Sequence, residues 1–330
     1  MVDRLKNGRS LNQDSQLTIW RLVDGKAGHE SQSLGLVNAL SSKANCQHFD
    51  IKVNHAFEGL ISLFTSSWSL GAGLPLPDLI IGAGHSTHLH ALAAKRVYGG
   101  KTIVLMQPSL PVSLFDLCLI PQHDQYRGGG EYIETRGVLN PIKPEGIHNE
   151  NSALIMIGGP SKHCEWDTLK LIAQVYELVN HSPQTKYTLT TSRRTPQDFV
   201  SAVKRIHFPN LEIVPFEETG KGWVAHKLSE CAYAWVSEDS VSMVYEALTA
   251  QVAVGLLNMP VKRVGRVTQG MHHLINQGLV ARFDFLQVYQ TKLKKAVGFV
   301  EAERCSQWIL QSWMQPSQTN RPVLETQLEF

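Results

Sequence analysis

Short apolar runs rich in β-branched residues alternate along this chain with stretches whose apolar positions recur every three to four residues. That rhythm belongs to a parallel sheet covered by helices. In the first half the runs predict strands over 18–23, 49–53, 78–83, 102–106, 117–120 and, briefly, 135–138. The helical spacing falls over 31–42, 57–64 and 87–97. The segment Asn140-Pro141-Ile142-Lys143-Pro144-Glu145-Gly146 and on to Asn151 has prolines, a glycine and no periodicity, and reads as an interdomain linker. The rhythm then restarts, with strands over 153–157, 186–190, 211–214, 232–236 and 252–257. Helices alternate with them over 166–179, 196–206, 222–231, 240–250 and 266–277. From Leu286 the tail looks helical, with Trp308 and Trp313 available to pack. The expected architecture is α/β: two Rossmann-like domains, 1–143 and 144–330, facing across a cleft, with the tail helices returning to the first.

Composition narrows this picture. A chain of 330 residues exceeds what one core usually serves. Lys+Arg 31 against Asp+Glu 29 leaves a net charge of +2, so no nucleic-acid partner is expected from bulk charge and any anion site must be local. Five scattered cysteines, never in a C-x-x-C pair, argue against a disulfide framework or structural zinc. The polar N-terminus lacks the apolar core of a secretory signal, and no run approaches the ~20 apolar residues of a spanning helix. A cytoplasmic protein, with at most a peripheral contact at the inner membrane, is the expectation.

Ligands of open α/β sheets bind beyond the carboxyl ends of the strands, so the residues that follow each strand are the candidates. After the first strand comes Asp24-Gly25-Lys26-Ala27-Gly28-His29. Gly25 and Gly28 allow a tight turn and close approach, Lys26 supplies charge and His29 a proton-transfer group. This is not the G-x-G-x-x-G fingerprint, so a nicotinamide cofactor is disfavoured and none is expected. After the third strand, Gly82-Ala83-Gly84-His85-Ser86-Thr87-His88 offers His85, while His88 and His90 read as helix-surface residues. Three histidines so spaced raise the question of a metal, but no carboxylates to orient them are evident, and no metal site is expected. In the second half, Gly158, Gly159, Ser161 and Lys162 follow one strand, and Ser192, Arg193 and Arg194 the next. Glycine amides, hydroxyls and guanidinium groups at adjacent strand ends suit a diphosphate. Further on, Ser237-Glu238-Asp239-Ser240 leads into a helix, where Ser240 and Ser242 lie beside free amides and Glu246 could accept hydrogen bonds from vicinal sugar hydroxyls.

Two Rossmann-like halves, a Gly-His loop after the first strand and S-x-S-x-x-x-E before an apolar strand resemble a GT-B glycosyltransferase. The general likeness is to the N-acetylglucosaminyltransferases that complete lipid II, which implies that Glu246 binds the ribose of a uridine nucleotide. A more specific resemblance runs from Trp20 to about Phe283. The words DGKAGHESQSLGL, PDLIIGAGHSTHL, VLMQPSLPVSLFDLCLIPQHD, TRGVLNPI, IGGPSKH, TTSRRTP and SEDSVSMVYEAL are similar to the mitochondrial fission family of the ELM type. That family has plant members that recruit a dynamin-related protein and bacterial members labelled nucleoside-diphosphate-sugar epimerases. The chain has neither G-x-x-G-x-x-G after its first strand nor a Tyr-x-x-x-Lys pair, which tells against that label.

Two functions follow as expectations. The first is a metal-independent glycosyltransferase that takes a sugar from a nucleotide-diphosphate sugar to a hydroxyl acceptor such as an envelope glycolipid, with His29 or His85 as base. Its donor would lie on Gly159, Ser161, Lys162, Ser192, Arg193, Ser240, Ser242 and Glu246. Carboxylates at Glu238 and Asp239 would repel the diphosphate unless Arg193, Arg194 or a cation compensates. The second is a non-catalytic adaptor that keeps the fold and recruits a membrane-remodelling protein partner.

Overall fold

The computed structural model describes residues 16–285 and 293–314. The described residues separate into two compact units: one takes the described parts of 1–121, 126–135 and 301–330, the other 122–125 and 136–300.

In the first unit, β1 (Leu17–Val23), β2 (Cys46–Lys52), β3 (Leu79–Ala83), β4 (Lys101–Leu105), β5 (Leu117–Pro121) and β6 (Tyr132–Thr135) form a parallel sheet in the order β2-β1-β3-β4-β5-β6. Three helices connect them: α1 (Ala27–Ser41), α2 (Ala56–Thr65) and α3 (His85–Tyr98). Every residue of β1 is buried, as a central strand covered on both faces requires. Its one charge, Arg21, is satisfied by an ion pair with Asp50 and a bond to the Glu30 carbonyl. On one face Trp20 stacks on Trp68 with ring centroids 5.7 Å apart, and its indole N–H donates to the Pro75 carbonyl.

The second unit repeats the plan with β7 (Asn149–Met156), β8 (Lys186–Thr190), β9 (Leu211–Val214), β10 (Cys231–Ser237), β11 (Ala253–Leu257) and β12 (Val280–Arg282). Their order is β12-β11-β10-β7-β8-β9, again all parallel. Between them run α4 (Thr168–His181), α5 (Gln197–Val203), α6 (Trp223–Glu230), α7 (Val241–Thr249) and α8 (Arg266–Asn276). The period-two alternation of β7 sends Leu154 and Met156 into one apolar core and Ala153 and Ile155 into the other.

The final helix, α9 (Glu301–Met314), belongs to the first unit. Cys305 and Ile309 are buried, Glu303 pairs with Lys43 of the segment after α1 at 2.8 Å, and Arg304 donates to the Glu134 carbonyl. Lys101 lies 4.5 Å from the Trp313 ring centre. The helical tail expected from Leu286 falls partly outside the described residues, and the described stretch 293–300 is not helical.

The chain passes to the second unit at Arg136, so Asn140–Asn151 is part of that unit rather than a free linker. Asn140 is buried and donates to the Tyr245 carbonyl and the Thr249 hydroxyl of α7, which fixes it. The strand expected over 135–138 is β6, four residues long and ending at Thr135; Val138 packs instead against the second unit's core. No helix among the described residues is long and apolar enough to cross a membrane.

Candidate functional site

In each sheet the direction of strand succession reverses once. The reversal lies between β1 and β3 in the first unit and between β7 and β10 in the second. Loops leaving neighbouring strands in opposite senses open a crevice at their carboxyl ends, and this is where ligands of open α/β sheets bind.

In the first unit that crevice is lined by the turn from β1 to α1 and the turn from β3 to α3. The helix α1 starts at Ala27, four residues earlier than the sequence pattern suggests, so Gly28 and His29 sit in its first turn. Side chains close the turn on itself: Glu30 reaches back to accept the Gly25 N–H at 3.1 Å, and Asp24 accepts the Lys26 N–H at 3.2 Å. Gly25 has a left-handed φ of 78° that permits the bend. The Lys26 side chain points into solvent with its ammonium 3.8 Å from Asp24. Asp24 also accepts a 2.9 Å hydrogen bond from His29 Nδ1. The Asp24 side chain is 1% exposed and that of His29 is 23% exposed, so a dry carboxylate orients an imidazole that still meets solvent. With Nδ1 holding the proton, Nε2 is left as the basic atom. Gly84 caps α3 at φ 87°, and a Cβ there would run into the His29 ring.

His85 opens α3 and is exposed; its Nδ1 lies 2.8 Å from Ser109 Oγ. Ser109 follows Met106, a non-glycine residue at φ 69° at the exit of β4, and so stored strain lies beside this group. The expectation that His88 and His90 face solvent is overturned, since both are buried. His88 contacts Ser109 Oγ at 3.3 Å and packs edge-on against Phe115. Burial first, then the neighbouring His85 and His29, lower its pKa to about 4, which leaves it neutral at pH 7. His90 donates from Nε2 to the His55 carbonyl and accepts the Trp68 indole N–H, a structural role. Among the described residues no group of three or more His, Cys, Asp and Glu side chains is placed to hold a metal.

In the second unit the loop after β7 is tied to the loop after β10. Gly158 N–H donates to Ser237 Oγ and Gly159 N–H to Asp239 Oδ2, each at 2.8 Å, while Ser237 Oγ donates to Asp239 Oδ1 at 2.7 Å. Arg194 bonds the same Asp239 oxygen at 2.9 Å and the Gly159 and Pro160 carbonyls. Ser192 Oγ donates to the Gly158 carbonyl, and Ser161 Oγ accepts the His163 and Cys164 amides. The two glycines therefore admit Asp239 and Arg194 at close range, and their amides are engaged within the loop. Glu238 is held by Arg282 at 2.6 Å and by the Met259 N–H. Both carboxylates of the Ser237–Ser240 turn are thus paired by internal arginines, Asp239 with Arg194 and Glu238 with Arg282, where the sequence called for compensation.

Lys162 and Arg193 are exposed on the same loops, the Arg193 guanidinium lying 5.3 Å from the Phe216 ring centre. Ser240 is the buried N-cap of α7 and makes no side-chain cap bond to the helix. Ser242 and Glu246, four residues apart, share one side of α7, Ser242 exposed and Glu246 partly buried. Glu246 keeps some solvent access, yet burial pushes its carboxyl up to about 7. A carboxyl so placed marks a site candidate. The residues that sequence reasoning assigned no role are Asp24, Ser109, Asp239 as a loop anchor, and Arg282. The signal for Asp24 was its place as the first polar residue after β1, five before His29.

The chain is 23% identical over 292 residues to an uncharacterized protein of Rickettsia prowazekii (strain Madrid E), covering 71% of this chain and 81% of that protein. Among solved structures it is similar to a Listeria monocytogenes protein described as a UDP-N-acetylglucosamine 2-epimerase, with TM-score 0.62, 12% identity and coverage of 93% and 99%. The UDP-GlcNAc 2-epimerase of Methanocaldococcus jannaschii gives TM-score 0.55 at 10% identity, covering 90% of this chain and all of that one. MurG of Acinetobacter baumannii gives 0.51 at 13%, covering 90% and 99%. These likenesses establish a GT-B fold, one shared by glycosyltransferases and epimerases. The family pattern described as Mitochondrial fission ELM1 matches residues 27–313, and the chain belongs to that family.

Proposed function

We propose that the chain is a glycosyltransferase that moves a sugar from a nucleoside-diphosphate sugar to a hydroxyl acceptor of the envelope-glycolipid class. The observation that carries this reading is the buried Asp24 carboxylate oriented on His29 at the switch point of the first sheet. His29 Nε2 takes the acceptor proton as the acceptor oxygen bonds the sugar's anomeric carbon, and the bond from that carbon to the diphosphate oxygen breaks with its electron pair leaving on the diphosphate. Asp24 stabilises the imidazolium so formed. On the second unit, the α7 amides with Ser240 and Ser242, together with Lys162 and Arg193, favour the leaving diphosphate, and Glu246 the nucleoside's sugar hydroxyls. Gly158, Gly159 and Arg194 shape the loop that carries these groups.

Calorimetric titration with UDP, GDP, ADP and UDP-sugars tests the donor half of this reading. Micromolar binding by the wild type should weaken at least tenfold in Glu246→Ala and Arg193→Ala and persist in His29→Ala, which should lose transfer. Conversion of the donor sugar to its epimer without acceptor would replace transfer by epimerisation. Absence of binding by every nucleotide would leave the non-catalytic adaptor role.

A further inference from the structure

The helix α2 presents its apolar residues outward. Phe57, Leu60, Ile61 and Phe64 recur at the i, i+3, i+4, i+7 spacing of one helical face, and all four are exposed, Phe57 by 67% and Phe64 by 82%. The helix cannot roll to bury them. Gly59 on the opposite side sits against the α3 backbone, where a Cβ would come within 2.7 Å of the His90 nitrogen, and His90 Nε2 holds the His55 carbonyl at the entry to α2.

We propose that this stripe is a symmetric docking surface for a second copy of the chain. The order of side chains along the stripe, Phe-Leu-Ile-Phe, reads nearly the same in both directions about the midpoint between Leu60 and Ile61. A two-fold axis through that midpoint, with the helices antiparallel, sets Phe57 against the partner subunit's Phe64 and each central aliphatic residue against its counterpart. Self-complementarity of this kind is what an isologous interface requires. Its extent also fits: at about 200 Å² for a fully exposed large side chain, the four expose roughly 450 Å². That is about 56% of the ~800 Å² per partner in a standard interface, close to the usual apolar share.

Polar groups on the helix do not oppose burial. Ser62 Oγ donates to the Glu58 carbonyl and Thr65 Oγ1 to the Ile61 carbonyl, so neither hydroxyl depends on water. Between Val53 and Pro77 the only Asp, Glu, Lys or Arg is Glu58, at the margin of the stripe. Without a lysine or arginine of its own, this segment lacks the cations through which an anionic bilayer attracts a peripheral helix.

Sedimentation velocity of the full chain across micromolar concentrations tests this independently of any catalytic reading. The wild type should sediment as a dimer. Phe64→Asp and Ile61→Asp, which alter side chains outside the packed cores, should each raise the dimer dissociation constant about 100-fold or more and leave thermal melting unchanged. A wild-type chain that stays monomeric overturns the proposal, as does a dimer that survives both substitutions. Flotation of monomeric wild type with phosphatidylcholine vesicles, abolished by Phe64→Asp, would assign the stripe to a bilayer and equally overturn it.

Discussion

Glu246 faces a conflict that Asp24 does not. The Asp24 side chain is buried with donors from His29 and Lys26, whereas Glu246 is desolvated, and burial raises its pKa from 4.5 to about 7. The fold accommodates the neutral form, so the stability that depends on it is full below about pH 4.5 and lost as pH rises through about 7. Glu246→Gln, neutral throughout, should therefore match the wild type near pH 4.5. By pH 8 it should exceed the wild type by about 3 kcal/mol, read by urea denaturation along the pH series. At this scale the sequence was partly legible. Glu246 and His29 stood out because each follows a strand exit in a polar, hydroxyl- or glycine-rich context. Asp24 and Ser109 did not, because their meaning lies in contacts to His29 and His85 that only the folded turns create. His88 misled for the same reason: its neighbours Phe115 and Ser109 come from other elements.

Elements are positioned here by their ends. The turn from β10 into α7 depends on Asp239, whose buried carboxylate gathers an amide, a hydroxyl and a guanidinium from three segments. Asp239→Ala leaves the buried Gly159 amide and Ser237 hydroxyl without that acceptor, while the exposed Arg194 guanidinium keeps water, and should cost about 1–3 kcal/mol in chemical denaturation, the usual penalty for unsatisfied buried donors. Arg193→Ala, at an exposed site one residue before Arg194, should stay within about 0.5 kcal/mol. Strand positions were readable from β-branched runs such as Ile80-Ile81 and Ile103-Val104, and most helices from their spacing. Helix starts were less so: α1 begins at Ala27, its entry shaped by Glu30 folding back on Gly25, a local bond that apolar periodicity does not register.

For the molecule as a whole, two Rossmann-like sheets were evident in the alternation of runs, but the point of exchange between units was not. Proline-rich composition around Asn140 suggested a linker, yet the side chain of Asn140 is spent on α7. The last helix completes the first sheet's unit, with Glu301, Cys305, Ser306 and Ile309 buried. Removing residues from 301 onward should lower the melting of the first unit and leave that of the second in place, which calorimetry would register as two separated transitions.

Apart from the short segment 122–125, the second unit is one stretch from Arg136 to Val300, inserted between parts of the other. Synthesis on the ribosome then reverses the usual order of maturation. The amino-terminal unit, although made first, waits for its final helix until the intervening sheet has emerged complete, and the later-encoded unit is the one free to finish folding earlier.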